Sequence, residues 1–142
     1  MKLKNRRGSI FAFVSVLLAI VAIFTTTIIF INMSNLRQVI TQEERMKAYY
    51  LAYSGAEMAY AALFKGRDKG EAIIDKFDEK FDGVEAEDIA IGKEGYATVE
   101  IDYDYEKDKV TITSTGTYEP SNRTVTLKMS FYKEYPQIKL WE

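Results

Sequence analysis

Residues 4–33 read KNRRGSIFAFVSVLLAIVAIFTTTIIFINM, and the fold follows from how this stretch behaves. Four cations, Lys2, Lys4, Arg6 and Arg7, lead to Gly8, and no Asp, Glu, Lys or Arg then occurs before Arg37. The apolar run from Ile10 to Ile31 is 22 residues long. At helical rise it spans roughly 33 Å, enough for a hydrocarbon layer of about 30 Å. A lone segment crossing lipid must be helical, because each backbone N–H and C=O has to find its partner inside the segment. The chain is therefore expected to begin as a membrane helix, with the remainder of its 142 residues on one side. Short flanks rich in Lys and Arg stay cytoplasmic, which makes the C-terminal portion extracytoplasmic. A removed secretory signal peptide fits less well. Such peptides have an apolar core of about 7–15 residues followed by a small-x-small cleavage site, whereas this run is longer and Thr25–Thr27 is flanked by large residues.

Composition narrows the chemistry. Net charge is −2, but residues 1–8 carry +4, so residues 9–142 carry −6. That acidic balance offers no electrostatic footprint for nucleic acid. There is no cysteine and no histidine. Disulfides and thiolate metal sites are thereby excluded, and the commonest general base and metal ligand is missing. Catalysis would have to run on carboxylates, Lys or Tyr alone, so no catalytic residue, metal site or cofactor is assigned. Ten tyrosines and eight phenylalanines supply core and contact area instead.

Beyond Ser34-Asn35-Leu36 the helical signal continues. Residues 36–64 contain no proline, one glycine (Gly55) and many strong helix formers. Ala48, Ala52, Gly55, Ala56, Ala59 and Ala62 recur at three- and four-residue spacing, a flat ridge that another layer can approach closely. Tyr49, Tyr53 and Tyr60 flank it. Lys65-Gly66 is a stop signal, so one helix is expected from about Ser9 to Phe64, roughly 80 Å long. Residues 71–82 predict a short amphipathic helix with Ile73, Ile74, Phe77 and Phe81 on one stripe. Residues 84–92 leave open a loop or a short strand at Ile89-Ala90-Ile91.

From Tyr96 the period becomes two. Ala97, Val99, Ile101, Tyr103 and Tyr105 form the inward set of one strand; Val110, Ile112 and Ser114 that of a second, reaching Tyr118; Val125, Leu127, Met129 and Phe131 that of a third. Glu106-Lys107-Asp108 and Glu119-Pro120-Ser121-Asn122 are turns. Ile138 and Leu140 suit an added edge strand, with Pro136 arguing against a central one. A small sheet with one apolar face needs a cover, and the ridge at 48–62 supplies it. The expected fold is α+β: one long N-terminal helix, its second half packed on a three- or four-stranded antiparallel meander and its first half in the bilayer.

This order of elements resembles that of type IV pilins and pseudopilins. RRGSIFAFVSVLLAI looks like the start of PilX-type minor pilins of Gram-positive bacteria, and ERMKAYYLAYSGAEMAYAAL (44–63) looks like the second half of their N-terminal helix. The resemblance covers residues 1–65. It implies a leader at 1–8, a membrane half at 9–35, an amphipathic half at 36–66 and an extracytoplasmic α+β head at 67–142. It also implies cleavage between Gly8 and Ser9 by a prepilin peptidase, methylation of the new amine on Ser9, and partners that are sister subunits bound through the helix. Most pilins carry glutamate at the fifth mature position, where this chain has Phe13. A carboxylate in the membrane costs several kcal/mol unless paired, so its loss suits a subunit with no neighbour above it, at or near a filament tip. Glu57 matches the family segment and is a possible subunit contact.

Other signals weigh less. Asp102, Asp104, Glu106 and Asp108 lack the glycine and terminal acid of a calcium loop; strand alternation accounts for them. Asn122-Arg123-Thr124 fits a glycosylation sequon that turns often match by chance. Thr25–Thr27 could bond across membrane helices or to their own backbone. Trp141 reads as a packing anchor. Three functions compete: a minor pilin-like subunit, an uncleaved single-pass anchor presenting a binding module, and a small membrane-tethered enzyme, which the absence of His and Cys disfavours.

Overall fold

The computed structural model describes residues 6–70, 72–78, 81 and 83–142. A single helix, α1 (Arg6–Phe64), occupies the expected run. It contributes to both of the units into which the chain divides, Met1–Thr41 and Gln42–Glu142. In the first unit α1 is an apolar helix whose large side chains, Ile10 through Ile40, are all exposed. Near the N-terminus it is long and apolar enough to cross a membrane. Lys2 and Lys4 lie outside the described residues.

The second unit is α+β. Among the described residues five strands follow α1: β1 (Val84–Ala90), β2 (Gly95–Asp104), β3 (Lys109–Tyr118), β4 (Arg123–Tyr132) and β5 (Leu140–Trp141). They form one antiparallel sheet in chain order, a meander. The sheet is thus wider than the three or four strands expected. The difference lies in β1, whose alternation is interrupted: Ala86 opposes Val99 and Ile89 opposes Ala97, so Glu87 and Asp88 bulge opposite a single residue. The extra residue shifts the phase of the pattern and hides the strand from a period-two reading. Asp88 takes φ 50° there.

Small residues let helix and sheet meet. Ala48, Ala52 and Ala56 are completely buried. A Cβ on Gly55 would stand 2.6 Å from Ser114 Oγ and 2.7 Å from Ala97 Cβ. One on Gly116 would fall on the Ala48 carbonyl oxygen and the Ala52 amide nitrogen, so the backbones themselves lie against each other. Ala62 is exposed, contrary to expectation, and Leu63 is buried in its place as the helix nears its end. Val99, Ile101, Val110, Ile112, Met129 and Phe131 fill the core from the sheet side, and Tyr60 and Phe64 stand against Phe131 at 5.2 and 5.8 Å between ring centroids. Gly66, at φ 84°, ends the helix as its left-handed successor.

Residues 71–82 depart from the expected amphipathic helix. Among the described residues there is one 3-10 turn, Ile73–Lys76, followed by extended backbone at Phe77. Residues 71, 79, 80 and 82 lie outside the described residues. Ala72, Ile74 and Phe77 are buried, while Ile73 is half exposed. A twelve-residue acidic helix is marginal alone, and here the segment is held by packing. Phe77 lies 3.9 Å from Phe81 and 5.5 Å from Tyr103 between centroids, and its carbonyl accepts from Lys133 Nζ at 3.0 Å. Tyr105 is also not inward: it lies in the turn after β2 and is exposed.

Candidate functional site

The first candidate surface is the apolar part of α1. Phe13, where pilins place their glutamate, is 69% exposed, one of a continuous set of bare apolar side chains. Thr25, Thr26 and Thr27 donate their hydroxyls to the carbonyls of Val21, Ala22 and Ile23 at 2.8–2.9 Å, and Ser15 does the same to Phe11. These hydroxyls therefore bond their own helix, which removes their polarity from the surface. Arg6, Arg7, Gly8 and Ser9 belong to α1, Gly8 and Ser9 falling in its first turns.

In the second unit α1 also carries exposed apolar side chains beside the sheet. Met46, Tyr49, Tyr50 and Tyr53 are exposed there. Tyr49 stacks on Tyr53 at 6.4 Å and Tyr53 on Trp141 at 4.9 Å, which makes Trp141 the packing anchor expected. Glu57 is engaged inside its own chain. Lys139 Nζ donates to both of its carboxylate oxygens, at 2.9 and 2.7 Å, and stands 3.9 Å from the centroid of the Tyr60 ring. Tyr60 OH donates to the Pro136 carbonyl at 3.0 Å. The separation of 82 positions between Glu57 and Lys139 explains why no local pattern announces this pair.

At the β2–β3 turn Asp104 and Asp108 have protein partners. Lys107 donates to Asp104 through its backbone N–H (3.2 Å) and its Nζ (2.8 Å), and this holds Asp104 below the usual carboxylate range. Tyr103 OH donates to Asp108 at 2.6 Å, which pushes the Tyr103 hydroxyl up to about 12. Among the described residues no group of three or more acids is placed to hold a metal ion. At the other end of the sheet, Lys47 donates to Tyr118 OH at 3.1 Å and pairs with Glu43 at 3.1 Å, contacts that hold its ammonium above its ordinary value. It lies at the edge of an apolar groove of about 440 Å³ between α1 and the β1–β2 turn.

A second groove, of about 420 Å³, escaped the sequence reading. Gln42, Arg45, Met46 and Tyr49 line it from α1, and Val125 from β4.

Taken together, the chain is an α+β protein carrying, near its N-terminus, one helix of bilayer-spanning length and apolarity. It matches no family model, no curated protein and no solved structure.

Proposed function

We propose that this protein is a minor pilin-like subunit, cut by a prepilin peptidase after Gly8 and added to a filament through the apolar surface of α1. The observation that carries this reading is the run of exposed apolar side chains from Ile10 to Ile40, resumed by the exposed Met46, Tyr49, Tyr50 and Tyr53 of the second unit's helix. A simple anchor needs only the bilayer-length portion. Exposed aromatic and Met side chains beyond it suit burial against another protein. The N-terminus is then cytoplasmic and the second unit extracytoplasmic. Phe13 fits a place at or near the tip, where no neighbour's amine needs a carboxylate. Ser9 becomes the new N-terminus and the candidate for methylation.

The test is the intact mass of the membrane-bound chain in cells with and without prepilin peptidase. Loss of residues 1–8 only where the enzyme is present supports the proposal, as does full length for Gly8→Leu. Equal mass in both cells, with Arg6 and Arg7 retained, overturns it in favour of an uncleaved anchor that presents a binding module.

A further inference from the structure

We propose that the segment after β4 guards a helix-binding seam on α1, and that the α1 of a second copy, shifted by one heptad, exchanges with it when two chains associate. This rests on the filament reading and adds to it a register and a control. Met46, Tyr50, Tyr53, Glu57, Tyr60 and Phe64 follow one another at spacings of four, three, four, three and four. That is the repeat with which one helix seats along another, and it sets these six residues on one stripe of α1. The stripe is covered unevenly. Met46 and Tyr50 are bare. From Tyr53 onward groups of the same chain lie on it. Trp141 stacks on Tyr53, and Lys139 reaches both Glu57 and the Tyr60 ring. The Pro136 carbonyl accepts from the Tyr60 hydroxyl, and the Arg67 guanidinium stands 5.4 Å from the Phe64 ring centroid. Residues 136–141 thus hold the places that a partner helix would fill.

Water reaches these contacts. The Glu57 and Lys139 side chains keep 33% and 24% of their surface, and Ile138 and Leu140 lie largely in solvent. An ion pair this open adds little to stability, so an apolar helix can take the segment's place. Charge sets the register of the exchange. With two copies level, Glu57 would oppose Glu57 inside the seam, a like-charge contact that disfavours that alignment. A shift of one heptad keeps stripe on stripe and brings Glu57 of one copy beside Lys65 of the other. Lys65 follows Phe64 directly, is exposed, and pairs with no carboxylate among the described residues. Glu57 therefore trades a cation of its own chain, Lys139, for one of its neighbour. The segment is released only where that neighbour is present to replace it.

The test uses the full chain in detergent micelles, with Tyr50→benzoylphenylalanine as a photo-crosslinker in the bare part of the seam. Illumination should give a two-chain band that grows with the protein-to-detergent ratio, while Trp141 emission shifts to the red in step. Lys139→Glu, which repels the segment from Glu57, should bring the band on at a ratio at least fivefold lower. The chain has no cysteine, so Tyr53→Cys with Trp141→Cys can be bridged by a short bismaleimide. The bridged form should give at least tenfold less band than the same variant capped with N-ethylmaleimide; both share one sequence, so a folding defect would affect them alike. Lys65→Glu should lower the band fivefold or more, and adding Glu57→Lys should restore it. Equal bands from bridged and capped forms overturn the exchange, as does Trp141 emission that stays fixed while the band grows. A band that Lys65→Glu leaves unchanged and Glu57→Gln strengthens places the copies level and overturns the register. Cleavage after Gly8 is read separately by intact mass, so an uncut chain overturns the filament reading while the micelle result stands.

Discussion

Gly55 and Ser114 meet where α1 crosses the sheet, and the pair can be tested as a unit. Alanine at position 55 gains about 1 kcal/mol in helix propensity, yet its Cβ would stand 2.6 Å from Ser114 Oγ. Overpacking of that kind costs about 1–3 kcal/mol, so Gly55→Ala should lower stability in urea. Ser114 Oγ is buried and has no hydrogen-bond partner among the described residues. Ser114→Ala should therefore be neutral or stabilising. The double variant should recover part of the Gly55→Ala loss, and a strictly additive cycle would refute the coupling. Tyr103 gives a prediction in pH. Its hydroxyl is held protonated by Asp108, up to about 12 in the fold against about 10 in an unfolded chain. Raised in the folded state, it contributes stability that is complete below pH 10 and disappears as pH climbs through about 12. Tyr103→Phe should flatten the fall in melting temperature across that window, and an unchanged slope would count against the bond.

At the scale of elements, the C-terminal segment is fastened to α1 by three different contacts: the Lys139–Glu57 pair, the Tyr60–Pro136 hydrogen bond and the Trp141–Tyr53 stack. Trp141 is the chain's one tryptophan, so its fluorescence reports this docking directly. Lys139→Ala should shift its emission to the red and raise quenching by acrylamide, at a cost of about 0.5–1 kcal/mol. No change would mean that the stack holds without the ion pair. Elements were readable from sequence wherever a period ran unbroken. The 22-residue apolar run, the alanine spacing and the alternation of β2 to β4 each encode their partner face locally. β1 was hidden by its bulge, and the 71–82 segment misled because its stripe is satisfied by tertiary contacts without a helix. Of the candidate surfaces, the apolar helix was legible. The Lys139 partner of Glu57 and the groove at Val125 were not, since both join residues distant in sequence.

For the whole molecule, the filament reading makes a positional prediction. Phe13→Glu adds one carboxylate to a 22-residue apolar run, a cost of about 2.5–3.5 kcal/mol at the centre of a span. The run is apolar enough that the variant should still be recovered in the membrane fraction. If a carboxylate at this position is what admits a subunit to the shaft, immunogold labelling should move from filament ends to their length. Even labelling of the unaltered protein along shafts would rule out a tip position. Deleting the gene should reduce the number of surface fibres, and normal numbers would argue against a part in assembly.

The near-touch of Gly116 on the main chain at Ala48 and Ala52 limits how the sequence can drift. Where side chains interlock, a bulkier neighbour can be absorbed by a rotamer change; between two peptide backbones nothing can swing aside. Related chains, when compared, should thus vary freely across the apolar anchor, which asks only for greasiness. They should keep their smallest residues at positions 48, 52, 55 and 116, and a large side chain tolerated at any of these would place the crossing elsewhere.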